Sequence, residues 1–182
     1  MIAPYIVGEK LYLRALEPVD APVLKAWIND PEVTRNLTIW RPMQVSDEVA
    51  FIERTARDPN LIALGITLRD SDRLIGTVGF HPIDWKNRSA SFGIEIGESS
   101  EWGKGYGYEA TRLMVRHAFT RMNLNRVWLV VYENNPRGMR CYERAGFRRE
   151  GVMRQYHFMD GRYWDAIHMA VLREEWKDGP GK

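Results

Sequence analysis

Glycine occupies every second position in part of the segment 101–110, at Gly103, Gly105 and Gly107. The absence of three Cβ atoms lets backbone N–H groups line a concave turn that a ligand can approach closely. An alternating apolar run precedes this glycine loop (residues 101–110) and a helical pattern follows it, so the predicted order is strand, turn, helix. The unpaired N–H groups and positive dipole end of that helix would complete a site for phosphate-type anions. The alternative is a tight turn that only starts a helix.

A carboxylate lies in the strand that precedes the glycine loop. Glu95 stands between Ile94 and Ile96, and a charged side chain in mid-strand is unusual unless it faces a cavity or water. Because side chains alternate along a strand, Glu95 is predicted on the face opposite both isoleucines. Glu95 is therefore a candidate for acid–base chemistry, and an outward-facing Glu on a half-exposed sheet is the equal alternative.

Spacing separates the kinds of phosphate-binding loop that the glycines could form. A Walker loop needs Ser or Thr after Gly-Lys to hold magnesium, but Lys104 is followed by Gly105. A dinucleotide-binding loop needs a third glycine where Tyr108 stands. Glu133 follows a later strand about where a ribose-binding acid would lie, so a nicotinamide-dependent enzyme stays open as a distant alternative.

The glycine loop resembles the pyrophosphate loop of the GNAT superfamily of N-acetyltransferases, Gln/Arg-x-x-Gly-x-Gly/Ala between a strand and a helix. Gly105 and Gly107 match the motif glycines, and Trp102 stands where the family often has Gln or Arg. Two later segments, 134–147 and 150–169, also resemble family motifs, the first an Asn-x-x-Ser followed by Tyr and Ala-Gly-Phe. The resemblance covers residues 9–176 and is strongest to the branch of ribosomal-protein N-terminal acetyltransferases and spermidine acetyltransferases.

This resemblance implies acetyl-CoA as the cosubstrate. The glycine loop would cradle the diphosphate, and the preceding strand would pair with the pantetheine arm and polarise the carbonyl through a backbone N–H. Trp102 cannot supply the usual polar side chain and is not expected to be a ligand, and Gly138 replaces the usual Ser. The expected cofactor-binding residues are Ile96, Gly97, Gly103, Lys104, Gly105, Tyr106, Gly107, Tyr108, Asn135 and Arg137.

The reaction needs a base for the attacking amine and an acid for the leaving thiolate. The resemblance makes Tyr142 the acid, because it lies seven residues after Asn135, and two helical turns let both face the cofactor. A core Tyr with one hydrogen bond is the alternative. The resemblance makes Glu95 the base, directly or through water, with Glu133 as the second candidate. The four histidines and one cysteine lack metal-ligand spacing, so no metal is expected.

Composition excludes several other classes of protein. The 182 residues are 45% hydrophobic and 27% charged, which is typical of one globular domain. The net charge of +2 is too small to indicate nucleic-acid binding, and no apolar run approaches the ~20 residues of a membrane span. The start carries no signal-peptide pattern, and the single cysteine, Cys141, fits a reducing compartment. A cytoplasmic location is therefore predicted.

The hydrophobic patterns predict an α+β fold, with a mixed, mostly antiparallel sheet of about seven strands and about four helices. One domain is predicted at 1–176 and a flexible tail at 177–182. Asp30-Pro31 should end the first helix and Ser46 should cap the second. Asp160-Gly161 predicts a two-residue hairpin turn. The predicted strands are 10–16, 61–68, 74–80 (extending toward Ile83), 89–97, 127–132, 152–159 and 162–172, and the later helices are 105–122 and 136–145.

The resulting hypothesis is an N-acetyltransferase that moves acetyl to a primary amine: a protein N-terminus, a polyamine or a small molecule. The amine would bind between the loop 36–45 and the Asp160-Gly161 hairpin. Trp40 in that loop is predicted to fold onto the core, with a substrate wall as the alternative. A non-catalytic acyl-CoA-binding module is the competing class of protein. Neither membrane nor nucleic acid is expected as a partner, and homodimerisation stays open.

Overall fold

The computed structural model describes residues 3–177, within which eight strands form one sheet. Every neighbouring pair of strands is antiparallel except β5 and β6, so the predicted mixed, mostly antiparallel sheet is confirmed. The strands are β1 (Ile6–Val7), β2 (Leu11–Ala15), β3 (Ile62–Leu68), β4 (Leu74–Asp84), β5 (Ser89–Ile96), β6 (Arg126–Tyr132), β7 (Arg148–Met159) and β8 (Arg162–Leu172). Their order across the sheet is β1-β2-β3-β4-β5-β6-β8-β7.

Helices cover both faces of the sheet. The described helices are α1 (Ala21–Ile28), α2 (Pro31–Thr34), α3 (Val45–Arg57), α4 (Tyr106–Thr120) and α5 (Pro136–Arg144). One buried cluster lies under α4 and α5, and a second lies under α1 and α3. The predicted α+β fold class is confirmed, with one strand and one helix more than expected.

The additional elements are too short to produce a periodic pattern. Strand β1 has two residues, and α2 has four. Asp30-Pro31 ends α1 as predicted, but the Asp30 carboxylate also accepts a hydrogen bond from the Glu32 backbone N–H and caps α2. The helix cap predicted at Ser46 is wrong, because Gln44 precedes the first turn of α3 and forms a capping box with Asp47.

Arg14 lies on the face of β2 opposite Leu11 and Leu13, where a charged side chain would usually meet solvent. Its side chain is instead buried, with the residue 6% exposed, and its guanidinium donates two hydrogen bonds to Asp20, at 2.8 and 2.9 Å. A third bond reaches the Thr67 hydroxyl at 3.1 Å. A buried charge is tolerated when it is paired in this way. Strand β2 is therefore covered on both faces.

Two turn predictions have clear outcomes. Asp160 and Gly161 both have positive φ, 55° and 78°, which confirms the two-residue hairpin between β7 and β8. Trp40 is 87% exposed, so the prediction that it folds onto the core is wrong. The one-domain boundary at 176 stays a prediction, and residues 178–182 of the predicted tail lie outside the described part of the chain. Within residues 3–177, no helix is long and apolar enough to cross a membrane.

Candidate active site

The site begins where strands β5 and β6 separate. They pair in parallel at three positions only, Ser89–Ser91 against Arg126–Trp128. Strand β6 pairs with β8 along all of Arg126–Tyr132. Among residues 3–177, its opposite edge has no strand partner after Trp128. A cavity of about 1050 Å³ lies at this gap and reaches residues on both faces of the sheet. This larger cavity is of the size that proteins use for small-molecule ligands.

The glycine loop lines the larger cavity with backbone. Gly103 has φ +80° and Gly105 has φ +92°, a left-handed conformation that favours glycine. A Cβ at either position would meet no atom within 4 Å, so the space above the loop is open. Gly105 is the N-cap of α4, and Tyr106, Gly107 and Tyr108 follow it along the cavity wall. The open N–H groups of the first helical turn therefore adjoin space that fits a phosphate group.

Trp102 belongs to the glycine loop and joins this loop to the end of β5. Its indole Nε1 donates a hydrogen bond to the Ile96 carbonyl at 2.6 Å, and its ring contacts the cluster under α1 and α3. The Arg137 guanidinium stacks on the indole, 4.3 Å from the ring centroid. At the position where the family often has Gln or Arg, this chain thus has a side chain that fixes the two elements around the cavity.

Two predicted cofactor-binding residues lie outside the wall of the larger cavity. Lys104 Nζ makes an ion pair with the Glu101 carboxylate at 2.8 Å, and Arg73 pairs with the same carboxylate. Gly97 makes room for Trp27, because a Cβ at Gly97 would lie 2.1 Å from the indole ring. Both residues therefore have structural contacts of their own, and their predicted cofactor roles stay predictions.

Helix α5 forms the basic wall of the larger cavity. The Asn135 side chain caps this helix by accepting a hydrogen bond from the Gly138 N–H at 2.9 Å. Arg137, a predicted cofactor-binding residue, lines the cavity together with Arg140 and with Arg144, which sequence reasoning missed. The signal for Arg144 was its helical spacing, one turn beyond Arg140. Its guanidinium stacks over the Tyr108 ring at 4.3 Å.

Tyr142 lies on α5 where the cavity meets the core. Its ring contacts Phe92 and Phe147, with centroid distances of 6.3 and 6.0 Å. Burial raises the pKa of the Tyr142 hydroxyl well above its usual range, so this hydroxyl keeps its proton at neutral pH. No hydrogen bond joins that hydroxyl to another group among residues 3–177. A protonated hydroxyl at a cavity wall fits the predicted role of acid.

Glu95 lies between two cavities. Ile94 and Ile96 contact the cluster under α4, whereas Glu95 faces α3, as alternation predicted. Glu95 and His81 line both the larger cavity and a smaller one of about 530 Å³. Burial, and secondarily the charge of Glu48, raise the pKa of Glu95 to about 7, so its carboxylate can accept a proton near neutral pH.

Glu133, the second candidate for the base, lies elsewhere. It is exposed at the end of β6, its backbone N–H donates to the Asp165 carbonyl at 2.9 Å, and it lines neither cavity. Within residues 3–177, no group of three His, Cys, Asp or Glu side chains is placed to hold a metal ion. The structure thus brings together Tyr142, Glu95 and the glycine loop but not Glu133.

The smaller cavity lies between the sheet and helices α1 and α3. Thr77, His81 and Glu95 form its floor, and Ile39 and Met43 from the loop 36–45 also line it. The Asp160-Gly161 hairpin lines neither cavity. The acceptor region predicted between the hairpin and the loop 36–45 stays a prediction. Burial and the nearby Arg54 charge lower the pKa of His81, which is therefore neutral at pH 7.

Sequence reasoning missed three polar groups around the two cavities. Asn36 and Asn134 line the larger cavity, and their buried side-chain oxygens have no hydrogen-bond partner within the described range 3–177. Glu48 lines the smaller cavity and is buried. A single polar residue in a loop or helix carries no periodic signal, so no sequence pattern identified these groups.

Comparisons with known proteins cover nearly the whole chain. A family model described as "Acetyltransferase (GNAT) domain" matches residues 10–148. An uncharacterized N-acetyltransferase of Bacillus licheniformis, p20, is 33% identical over 171 residues, which are 92% of this chain and 96% of the relative. A putative ribosomal N-acetyltransferase of Bacillus subtilis, YdaF, is 29% identical over 182 residues, 94% of this chain and 96% of the relative. A solved spermidine N-acetyltransferase of Vibrio cholerae, in complex with CoA and spermine, matches with a TM-score of 0.86 and 26% identity, covering 92% of this chain and 98% of that one.

Proposed function

Because this chain belongs to the GNAT family and is an acetyl-CoA-dependent N-acetyltransferase, we propose that its acceptor is a primary amine bound between α3 and the end of β5. The position of Glu95 carries this proposal. Its carboxylate lies where the larger cavity, with the glycine loop, meets the smaller cavity. An amine beside Glu95 would therefore have a proton acceptor on one side and the cofactor cavity on the other.

In this proposal, backbone N–H groups and arginine side chains bind the phosphates of the cofactor. Open space over Gly103 and Gly105 fits a diphosphate, which the N–H groups at the start of α4 would bind. Arg137, Arg140 and Arg144 would balance the phosphate charges from α5. Acetyl-CoA supplies an activated acetyl group when bound. The residues present thus fit its anionic part without a metal ion.

The chemistry of transfer assigns Glu95 and Tyr142 opposite tasks. Glu95, with a pKa of about 7, takes a proton from the ammonium group, so that the nitrogen lone pair can attack the thioester carbonyl. A C–N bond then forms, the C–S bond breaks, and the Tyr142 hydroxyl gives its proton to the departing sulfur. The second proton lost by the nitrogen leaves through solvent, which also restores the Tyr142 hydroxyl.

A kinetic experiment separates this enzyme from an acyl-CoA-binding module. Purified protein is incubated with acetyl-CoA and a panel of amines, and both CoA release and acetylated product are measured. We expect Glu95→Gln and Tyr142→Phe each to lower kcat about 100-fold to 10,000-fold, the range of general acid–base catalysis. Calorimetry should show acetyl-CoA binding within about threefold of wild type, a shift below 1 kcal/mol. Unchanged acetyl transfer in both variants would refute the assignments, and binding without any transfer would favour the module.

The proposal extends to the identity of the acceptor, the location of the enzyme and its partners. A polyamine, a protein N-terminus and a small-molecule amine are all primary amines that fit beside Glu95, and relatives named for polyamine and ribosomal acetylation support the first two. A cytoplasmic location, homodimerisation and a lack of direct nucleic-acid or membrane binding stay predictions. An amine panel that includes an N-terminal peptide would decide among the acceptors.

A further inference from the structure

We propose that Glu48 binds a second positive charge on the acceptor, so that this enzyme prefers aliphatic diamines and longer polyamines to monoamines. The inference rests on the proposed function and assigns the smaller cavity as the place where the remote end of the acceptor lies. Glu95 would face the nitrogen that is acetylated, and Glu48 would face a nitrogen that stays charged.

The side chain of Glu48 is buried without a partner. The residue is 7% exposed, and its carboxylate has no hydrogen bond or ion pair with any group among residues 3–177. A buried carboxylate normally requires a paired cation or several hydrogen-bond donors, because desolvation disfavours its charge. Burial raises the pKa of Glu48 accordingly. Because this carboxylate lines the smaller cavity, a bound cation would supply the missing partner.

The other charged groups of the smaller cavity are accounted for. Asp47 accepts a hydrogen bond from the Gln44 N–H at 2.7 Å and belongs to the cap of α3. Arg54 is exposed, and His81 is neutral at pH 7. When Glu95 is ionised, the lining of the smaller cavity therefore carries three carboxylates and one guanidinium. This balance favours a cationic ligand and disfavours an anionic one.

The rest of the lining suits an aliphatic spacer. Apolar side chains contribute most of the wall between the two glutamates: Leu24, Ile28, Ile39, Met43, Ala50 and Phe51. An alkyl chain buries apolar surface there, while each end meets a carboxylate. A monoamine of the same length would place a methyl group beside Glu48 and leave that carboxylate unpaired. The cavity thus distinguishes acceptors by the charge at their remote end.

The test compares 1,4-diaminobutane with n-pentylamine, which carries a methyl group in place of the second amine. Wild type should show a kcat/KM at least about tenfold higher for the diamine, in line with the loss expected for an unpaired buried charge. Glu48→Gln should raise KM for the diamine about tenfold to 100-fold, with kcat and the KM for acetyl-CoA changing less than about threefold. Glu48→Asp keeps the charge and should recover part of the affinity.

A matched control lies on the same helix. Glu53 is exposed and pairs only with Arg57 one turn later, so Glu53→Gln should leave both amines unaffected. If Glu48→Gln does not fold, thermal protection of the wild type decides: in the presence of CoA the diamine should raise Tm and n-pentylamine should not. Equal kcat/KM for both amines, or equal protection by both, would overturn the role of Glu48 but not the proposed function. No transfer to any amine would overturn the proposed function instead.

Discussion

The two cavities meet at Glu95 but are built from different material. At the proposed phosphate end, the larger cavity is lined by backbone: glycines of fixed conformation and the start of α4, next to the point where two strands separate. The smaller cavity is built from side chains on α1, α3 and a loop. A backbone site constrains residue types at fixed spacing, because only glycine adopts the required φ at low cost. A side-chain site can change its ligand through single substitutions, which leaves no fixed motif.

Among the tests of this comparison, we expect the largest effect from a substitution in the glycine loop of the larger cavity. Gly105→Val places a β-branched residue at φ +92°, which costs about 1–3 kcal/mol and distorts the N-cap of α4. We expect the Kd for acetyl-CoA, measured by calorimetry, to rise at least about tenfold. Gly151→Val is the matched control, because a Cβ there also meets no atom within 4 Å and φ is not positive. Equal affinity in both variants would show that the glycine conformation does not shape the site.

We expect an intermediate effect in the pH dependence of activity, which Glu95 would control. With a pKa of about 7, the ionised fraction of Glu95 rises about tenfold between pH 6 and pH 8. Activity should rise in parallel, since the base works only when deprotonated, and should level off above pH 8. kcat/KM should be measured with an acceptor whose amine does not titrate between pH 6 and pH 8.

Glu48→Gln sharpens the same measurement. Removing the Glu48 charge lowers the pKa of Glu95, so the acid limb of the profile should move to lower pH. Burial of Glu95 persists, and Asp47, Arg54 and His81 still face the same cavity, so the shift should be partial. Glu53→Gln should leave the profile in place. A profile that is flat from pH 6 to pH 8 would contradict the role of Glu95.

The smallest effect is expected from Trp102→Phe. This change removes the hydrogen bond to the Ile96 carbonyl but keeps an aromatic ring under Arg137. Loss of one such bond costs about 1 kcal/mol, so KM for acetyl-CoA should rise about fivefold with kcat nearly constant. Trp85→Phe is the control, because Trp85 donates to the Pro59 carbonyl on the surface and lines neither cavity. A change in the diamine KM alone would assign Trp102 to the acceptor instead.

The backbone-built part of the molecule was the part that sequence could predict. The resemblance to GNAT enzymes is confirmed, and so are the fold class and the acetyl-CoA dependence. The strand, glycine loop and helix around Gly105 follow from spacing and from the conformational freedom of glycine. The roles of Tyr142 and Glu95 stay predictions that the geometry supports.

The partners and orientations of individual side chains were not predictable. No sequence pattern indicated that Lys104 pairs with Glu101 or that the buried Arg14 pairs with Asp20. Glu48 is one of several acidic residues in an amphipathic helix, and nothing local shows that it faces inward. These outcomes depend on tertiary contacts, which periodicity does not encode.

The short parallel pairing of β5 and β6 has a kinetic consequence. Since the strands part after Ser91, the sheet has a gap that connects its two faces, with α4 and α5 on one side and α2 and α3 on the other. The nucleotide and the amine can thus arrive by separate routes, and neither has to leave before the other binds. Double-reciprocal plots of initial rate against one substrate, at several fixed concentrations of the other, should therefore give intersecting lines, as they do for a ternary complex. Parallel lines would be unexpected for this architecture.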